Sequence, residues 1–294
     1  MTIYDIAKMA GVSKSTVSRV LNGEASVSSD AKEKVEAVIR EHNYVPNRSA
    51  SMTKKNREVI LVLVTRLDSY SETRLIRGMM EQAADNIEFL IAETQFDINK
   101  TKQIIDNNKN VSGIIVFAIS GEEYKFLDDL LMPIVIVGQN IGTKRSNLFF
   151  DDYNSMQELI KSKSINSAIF IGYNEEDATM MRRYQAACDQ LERDLDFITM
   201  SNYGHINKDL DFNLESYDAF ICATETIALE TYKYVLKNNI ENYQILSAGN
   251  NRSINFIIDN FSTVDFHYKE AGRFIIKNLK QKKAFKHVTK YDLV

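Results

Sequence analysis

Apolar residues recur at helical spacing through residues 3–42, and from Val59 onward as short continuous runs between amphipathic stretches. Ile3, Ile6, Ala7 and Ala10 stand at i, i+3, i+4 and i+7, which predicts one apolar stripe on a short first helix. Thr2 and Asp5 suit its start, a threonine cap followed three residues later by an acid. Gly11-Val12 breaks that helix, the glycine permitting the turn and the valine filling the corner. Ser13 then caps a second helix running to about Asn22, with Val17, Val20 and Leu21 facing inward. Asn22-Gly23 marks a turn and Ser28-Ser29-Asp30 starts a third helix, lined on one side by Ala31, Val35, Val38 and His42 with Ile39 beside them. His42 reads as a packing or capping residue. Pro46 disfavours helical geometry at Val45 and ends the segment. Residues 48–57 are polar and basic, without a core stripe, and read as a linker that folds only on a partner. The pattern predicts a headpiece over residues 1–46, a linker over 47–57 and a body over 58–294.

In the body the apolar runs are 59–64, 87–91, 113–118, 133–137, 167–172, 217–223 and 243–248. Helical stretches lie between them at 70–84, 101–108, 156–163, 179–192 and 225–238. Unbroken apolar strands alternating with amphipathic helices imply parallel sheets covered on both faces. There are more strands than one small sheet holds, so two α/β lobes are expected. Ligands of open parallel sheets bind beyond the carboxyl ends of strands, and those positions are polar here. Thr65-Arg66-Leu67-Asp68-Ser69 follows the first run and Thr94-Gln95 the second. Gln139-Asn140, Asp151-Asp152, Thr224-Glu225 and Asn250-Asn251 follow later ones. Carboxylates, amides and arginines facing one cleft suit a polyhydroxylated ligand. Asp151-Asp152 follows the short run 147–150; as adjacent strand residues they would point to opposite faces, leaving one to enter a cleft.

Charge divides the chain in the same place. Residues 1–57 carry ten Lys/Arg and six Asp/Glu, a net of +4, and the remainder carries 26 and 34, a net of −8, giving −4 in all. A basic head on an acidic body suits contact with DNA. The outward face of the second helix carries Lys14, Ser15, Thr16, Ser18 and Arg19, donors suited to phosphates and base edges. Catalytic chemistry has little support: GxGxxG, GxxxxGK[ST], GxSxG and HExxH strings are absent, and there are four histidines in 294 residues. No cofactor, metal or catalytic residue is expected, and an enzyme acting on sugars with an accessory helix-turn-helix is the weaker class. Cys188 and Cys222 form no CxxC pair and read as buried or inert thiols. No apolar stretch approaches membrane length, and the chain opens directly on its first helix. A cytoplasmic location is expected. Residues 280–290 are basic and read as solvated surface.

Ile3-Tyr4-Asp5-Ile6-Ala7, Ala10-Gly11-Val12-Ser13, Thr16-Val17-Ser18-Arg19-Val20-Leu21-Asn22, Val27-Ser28, Val35 and Tyr44-Val45-Pro46-Asn47 closely resemble the lactose/galactose repressor family of bacterial transcription factors. The resemblance extends to the alternating body. It implies a three-helix helix-turn-helix headpiece and a two-lobed, periplasmic-binding-protein-like α/β core with parallel sheets. It further implies a homodimer on a palindromic double-stranded operator, each second helix in a major groove. By position Lys14, Ser15 and Arg19 would read sequence, with Thr2, Ser13, Thr16, Ser18, Asn22 and Asn47 completing the DNA-facing set. Met52 stands in Ala50-Ser51-Met52-Thr53 where the family places a leucine that wedges into the minor groove, one residue short of the family spacing.

A narrower set resembles the trehalose-operon branch of that family: Val64-Thr65-Arg66-Leu67-Asp68-Ser69, Glu93-Thr94-Gln95-Phe96, Phe150-Asp151-Asp152, Cys222-Ala223-Thr224-Glu225, Gly249-Asn250, Thr263-Val264-Asp265 and Tyr268-Lys269-Glu270-Ala271-Gly272. It implies trehalose 6-phosphate as effector and Arg66 on its phosphate. Asp68, Ser69, Gln95, Asp151, Arg183, Thr224 and Asn250 complete the expected effector set. Gln139 stands where that branch has a second phosphate arginine, which leaves Lys144 or Arg145 as other holders of phosphate. Whether the ligand releases or promotes DNA binding stays open at this point, as does a different sugar or sugar phosphate.

Overall fold

In the headpiece, helices α1 (Ile3–Ala10), α2 (Lys14–Leu21) and α3 (Ser29–Glu41) enclose a small core of Ile6, Ala7, Ala10, Val17 and Val35. Val12, Val20, Leu21, Val38 and Ile39 pack around it. Gly11 has φ +65°, a region a side chain disfavours, and it lets the Val12 N–H return to the Ala7 carbonyl at 3.0 Å. Ser28 caps α3 by accepting from the Ala31 N–H. Of the two readings of His42, capping holds and packing does not: α3 ends at Glu41, and His42 leaves helical geometry as the C-cap with its side chain in solvent.

The computed structural model describes residues 3–21, 27–42, 57–118, 122–138, 144–173, 177–200, 214–249, 252–281 and 283–294. Thr2, Asn22, Asn47, Met52 and most of the expected linker lie outside them. The chain divides into two units, Met1–Glu58 and Val59–Val294.

Among the described residues the second unit contains two six-stranded sheets. The first runs β2 (Ile87–Glu93), β1 (Glu58–Val64), β3 (Gly113–Ala118), β4 (Ile134–Gly138), β5 (Ser146–Phe149), β11 (Lys286–Val288). The second runs β7 (Asp196–Thr199), β6 (Ala168–Gly172), β8 (Ala219–Cys222), β9 (Gln244–Ala248), β10 (Phe261–Asp265), β12 (Asp292–Leu293). From β1 through β3, β4 and β5 to β11, and from β7 to β10, neighbours are parallel; β12 is antiparallel to β10. The apolar runs are unbroken because both sheet faces are covered. Ile60, Val62 and Val64 enter one core while Leu61 and Leu63 enter another with Ile105, Ile114 and Val116.

Helices α4 (Tyr70–Gln82), α5 (Ile98–Asn107), α6 (Asp152–Lys161), α7 (Ala178–Leu191) and α8 (Glu225–Lys237) fall on the five stretches the pattern predicts. A 3₁₀ helix (Glu122–Asp129), β7, a short α9 (Arg252–Asn255), β10, α10 (Tyr268–Asn278), β11 and β12 go beyond those runs. The basic tail is not simply solvated surface: Lys286–Val288 pairs with β5, and the His287 ring stacks on Phe274 at 4.0 Å. Asp151 and Asp152 are not strand residues either. Asp151 caps α6 by accepting from the Asn154 N–H, and Asp152 is that helix's first residue, so their directions follow a helix start.

The chain passes between the sheets three times: from β5 to α6, from β10 through α10 to β11, and from β11 to β12. Helix α10 returns against α4, and two glycines permit the approach. A methyl group at Gly78 would fall on the Lys269 carbonyl, and one at Gly272 on the Leu75 carbonyl. Glu81 joins the helices through Lys269 (2.8 Å) and Arg273 (2.7 Å). We therefore expect Gly78→Ala to destabilise the protein by about 1–3 kcal/mol in denaturant unfolding, because backbone cannot yield as a side-chain tip can. An unchanged midpoint would show that the helices part without cost.

Candidate functional site

The two sheets share one strand order from their second strand inward, 2-1-3-4-5, so each has a switch point where chain order reverses, between β1 and β3 and between β6 and β8. Crevices form beyond the carboxyl ends of strands at such points. A cavity of about 310 Å³ lies there, walled by both lobes. Thr65 and Arg66 follow β1, Phe117 belongs to β3, Tyr173 follows β6 and Thr224 follows β8, and all five line it.

Helix beginnings form the remaining wall. Ser69 caps α4, Asp177 caps α7 and Thr224 caps α8, each by accepting from backbone N–H groups of the first turn. The positive ends of three helix dipoles therefore meet one space, an arrangement that favours anionic or strongly polar ligand groups. Phe96, Phe150, Tyr173 and Tyr268 add aromatic faces. Tyr268 and Phe150 lie edge to face at 5.1 Å, which fixes the floor of the cleft where the chain crosses between lobes.

The two arginines of this wall are already paired. Arg66 grips Asp68 through Nε (2.8 Å) and Nη2 (2.6 Å), and that guanidinium holds the Asp68 carboxyl below the usual carboxylate range. Arg183 is buried, with Nε and Nη2 on Asp152 Oδ1 at 2.9 and 2.6 Å and Nη1 donating to the Ala223 carbonyl at 2.5 Å. Burial opposes its charge, and the adjacent Asp152 carboxylate more than offsets that, so Arg183 remains a cation.

Two buried glutamates complete the site. Glu72 is pushed up to about 7 by burial, although it accepts from the Thr65 N–H (2.9 Å), the Thr65 hydroxyl and the Arg66 N–H (3.4 Å). Glu225 is likewise pushed up to about 7 by burial.

Of the effector residues expected from sequence, the cavity wall brings together Arg66, Asp68, Ser69, Arg183 and Thr224. Gln95 and Asp151 are not in that wall: Gln95 accepts from Lys100 Nζ at 3.1 Å and Asp151 caps α6. Gln139 and Asn250 lie outside the described residues. Arg145 is committed elsewhere, its guanidinium donating to the carbonyls of Leu127, Asp128 and Leu130 at the end of the 3₁₀ helix. Lys144 is exposed, its N–H on the Asp128 carboxylate. Sequence reasoning missed Glu72, Tyr173 and Asp177 as parts of this site. Asp152 and Glu225 were among the strand-end residues expected at a cleft but not in the expected effector set, and Tyr268 was noted only within the resemblance. Both cysteines are buried, as expected. Among the described residues no three metal-ligating side chains cluster, and no helix is long and apolar enough to cross a membrane.

The headpiece presents a second candidate surface. Ser13 Oγ accepts from the Thr16 N–H at 3.1 Å and so caps α2. Lys14, Ser15 and Arg19 are exposed, with Thr16 and Ser18 half-buried beside them. Lys14 Nζ lies 4.2 Å from the Tyr4 ring centre and donates to the Tyr4 hydroxyl at 2.7 Å, which orients the cation before any partner arrives.

Residues 2–47 match the description "Bacterial regulatory proteins, lacI family". The chain is 32% identical to the HTH-type transcriptional regulator TreR of Salmonella typhimurium over 293 residues, covering 93% of this chain and 90% of that one. Among solved structures it is similar to a trehalose repressor from Escherichia coli, with a TM-score of 0.68 and 22% identity over 81% of this chain and 99% of that one. It is also similar to a lac repressor dimer bound to operator and the anti-inducer ONPF, with a TM-score of 0.70 and 18% identity over 100% of this chain and 97% of that one. The helix-turn-helix, the paired parallel sheets and these relatives agree: the chain is a DNA-binding transcriptional regulator of the lacI family.

Proposed function

We propose that this regulator is a dimeric cytoplasmic repressor of a trehalose-utilisation operon, released from a palindromic operator by trehalose 6-phosphate. The observation that carries this reading is the cleft at the two facing switch points, where three helix N-termini, two arginines and six aromatic rings converge. Helix N-termini and Arg66 suit a phosphate, while carboxyl groups, hydroxyls and ring faces suit the sugar. Similarity to a trehalose repressor from Escherichia coli supports the same sugar.

Arg66 is the phosphate anchor, with Asp68, Ser69, Arg183 and Thr224 around the ligand and Gln139 and Asn250 its remaining contacts. Induction requires that ligand bind the conformation unable to hold operator more tightly than the one that holds it. On the DNA side, Lys14, Ser15 and Arg19 read base edges while Ser13, Thr16 and Ser18 position the helix on phosphates. Thr2, Asn22 and Asn47 add backbone contacts, and Met52 is the minor-groove wedge.

A second reading, an unphosphorylated disaccharide as effector, is favoured by the pairing of Arg66 with Asp68 and of Arg183 with Asp152, which leaves both guanidiniums of the wall already held by carboxylates. Parallel calorimetric titration with trehalose 6-phosphate, trehalose and glucose 6-phosphate separates the two. Tight binding of the first alone supports the phosphate reading, preference for trehalose supports the second, and no binding of any would exclude both. Arg66→Ala is expected to weaken trehalose 6-phosphate binding roughly tenfold to a hundredfold, the range for hydrogen bonds to a charged group, with trehalose little affected. Equal losses for both ligands would remove Arg66 from the phosphate.

For the headpiece, Arg19→Ala is expected to cost about 1–3 kcal/mol on a palindromic duplex selected from random sequence, and to relax preference at one base pair per half-site. Unaltered preference in a repeat selection would place Arg19 on the phosphate backbone instead.

A further inference from the structure

Glu225 carries more burial than a helix start requires. Its side chain is among the buried ones at 6% exposure, and its Oε1 has no hydrogen-bond partner. Capping explains only part of it: the Thr224 hydroxyl accepts from the Ile227 N–H and the Glu225 carboxyl takes its own backbone N–H, which still leaves Oε1 over. The fold nevertheless keeps its place open. Gly249, after β9, has φ +105°, and a methyl group there would fall on the Glu225 carboxyl. Nearby charges do not satisfy the group. Arg183 from α7 is spent on Asp152 and the Ala223 carbonyl, Asp265 from β10 repels, and Tyr268 from α10 is neutral. Glu72 across the cleft is the instructive contrast, equally buried in character but with three donors from Thr65 and Arg66. An orphaned buried carboxyl oxygen costs stability that a satisfied one does not.

We propose that Glu225 is a ligand-binding residue whose unpaired oxygen accepts a hydroxyl hydrogen of the bound sugar, making it a determinant of which hydroxyl pattern the cleft takes. This rests on the sugar-cleft reading above. A hydroxyl donor favours the ionised carboxylate, so binding lowers the proton affinity of Glu225 and releases a proton near neutrality. Affinity then rises with pH up to the free-state value of about 7 and levels above it.

Full-length protein is titrated with trehalose and with trehalose 6-phosphate at about pH 6, 7 and 8, and at pH 7 in two buffers of different ionisation heat, to count protons. Glu225→Gln is expected to weaken binding roughly tenfold to a hundredfold and to release fewer protons than wild type, any Glu72 contribution remaining in both. Without ligand at pH 8, Glu225→Gln should unfold at the same or a higher temperature, since it deletes a buried charge. The sign follows from a folded-state value of about 7 against an ordinary 4.5: the stability this carboxyl contributes is complete below about 4.5 and is lost as pH rises through 7. Glu225→Asp, which withdraws the carboxyl by one methylene, should bind more weakly yet still release its proton. Wild-type affinity and proton count in Glu225→Gln, or wild-type affinity in Glu225→Asp, would overturn the proposal. Silence of the wild-type protein toward both sugars would instead overturn the sugar cleft, and this proposal with it.

Discussion

The close crossing of α4 and α10 is the constraint on which the cleft depends. Helix α10 begins where the chain leaves the second sheet and delivers it into the first, so its position couples the two lobes. Gly78 and Gly272 bring the two backbones within van der Waals reach, and Glu81 closes the far end with Lys269 and Arg273. Those two cations hold the Glu81 carboxyl at about 2. Helix α4 is capped by Ser69, immediately after the Arg66–Asp68 pair, and α10 starts at Tyr268, so one packing contact fixes both an arm of the site and its aromatic floor. A slip of either helix would move cleft residues from both lobes together, which is the property an allosteric core needs.

Within that frame the cleft stores its polarity in internal pairs. Asp68 and Asp152 stand on the two guanidiniums as anions that a ligand can replace or retain. The Arg66 pair is partly exposed and sits on a loop, so exchanging Asp68 for a phosphate costs little organisation. The Arg183 pair is buried and also carries the Ala223 carbonyl, so removing either member would leave an uncompensated charge. The arginine on the loop after β1 is thus arranged to change partners and the one within α7 to stay fixed.

Much of this was legible in the chain, and the failures have physical causes. Unbroken apolar runs located β1, β3 and β4 because strands covered on both faces cannot carry the alternating pattern of half-exposed ones. Strand β10 escaped because Phe261-Ser262-Thr263-Val264-Asp265 is half polar, its buried Thr263 being satisfied by the Gly249 carbonyl rather than by solvent. Strand-end polarity pointed to Arg66 and Thr224, yet it could not separate Asp151 from Asp152. That distinction depends on where α6 begins, and a shift of one residue exchanges a cap for a buried ion pair. Glu72 was silent for a related reason. An acid in the first turn of a helix is what the helix dipole favours anywhere, so spacing alone cannot tell an exposed one from one held in a cavity.

The two glutamates also show why burial rather than residue type marks a site. Each sits in the first turn of a helix that follows the first or third strand of its sheet, and each is raised to about 7. Glu72 is raised despite three donors, which makes it part of the wall: it ties the Thr65–Arg66 turn to α4 and so orients the guanidinium. Glu225 is raised with an oxygen left over, beside a glycine that no side chain could replace without displacing it. Equal perturbation therefore arises from opposite states of satisfaction. Only the unsatisfied state gives a ligand something to gain, because a new hydrogen bond there removes a penalty the free protein already bears.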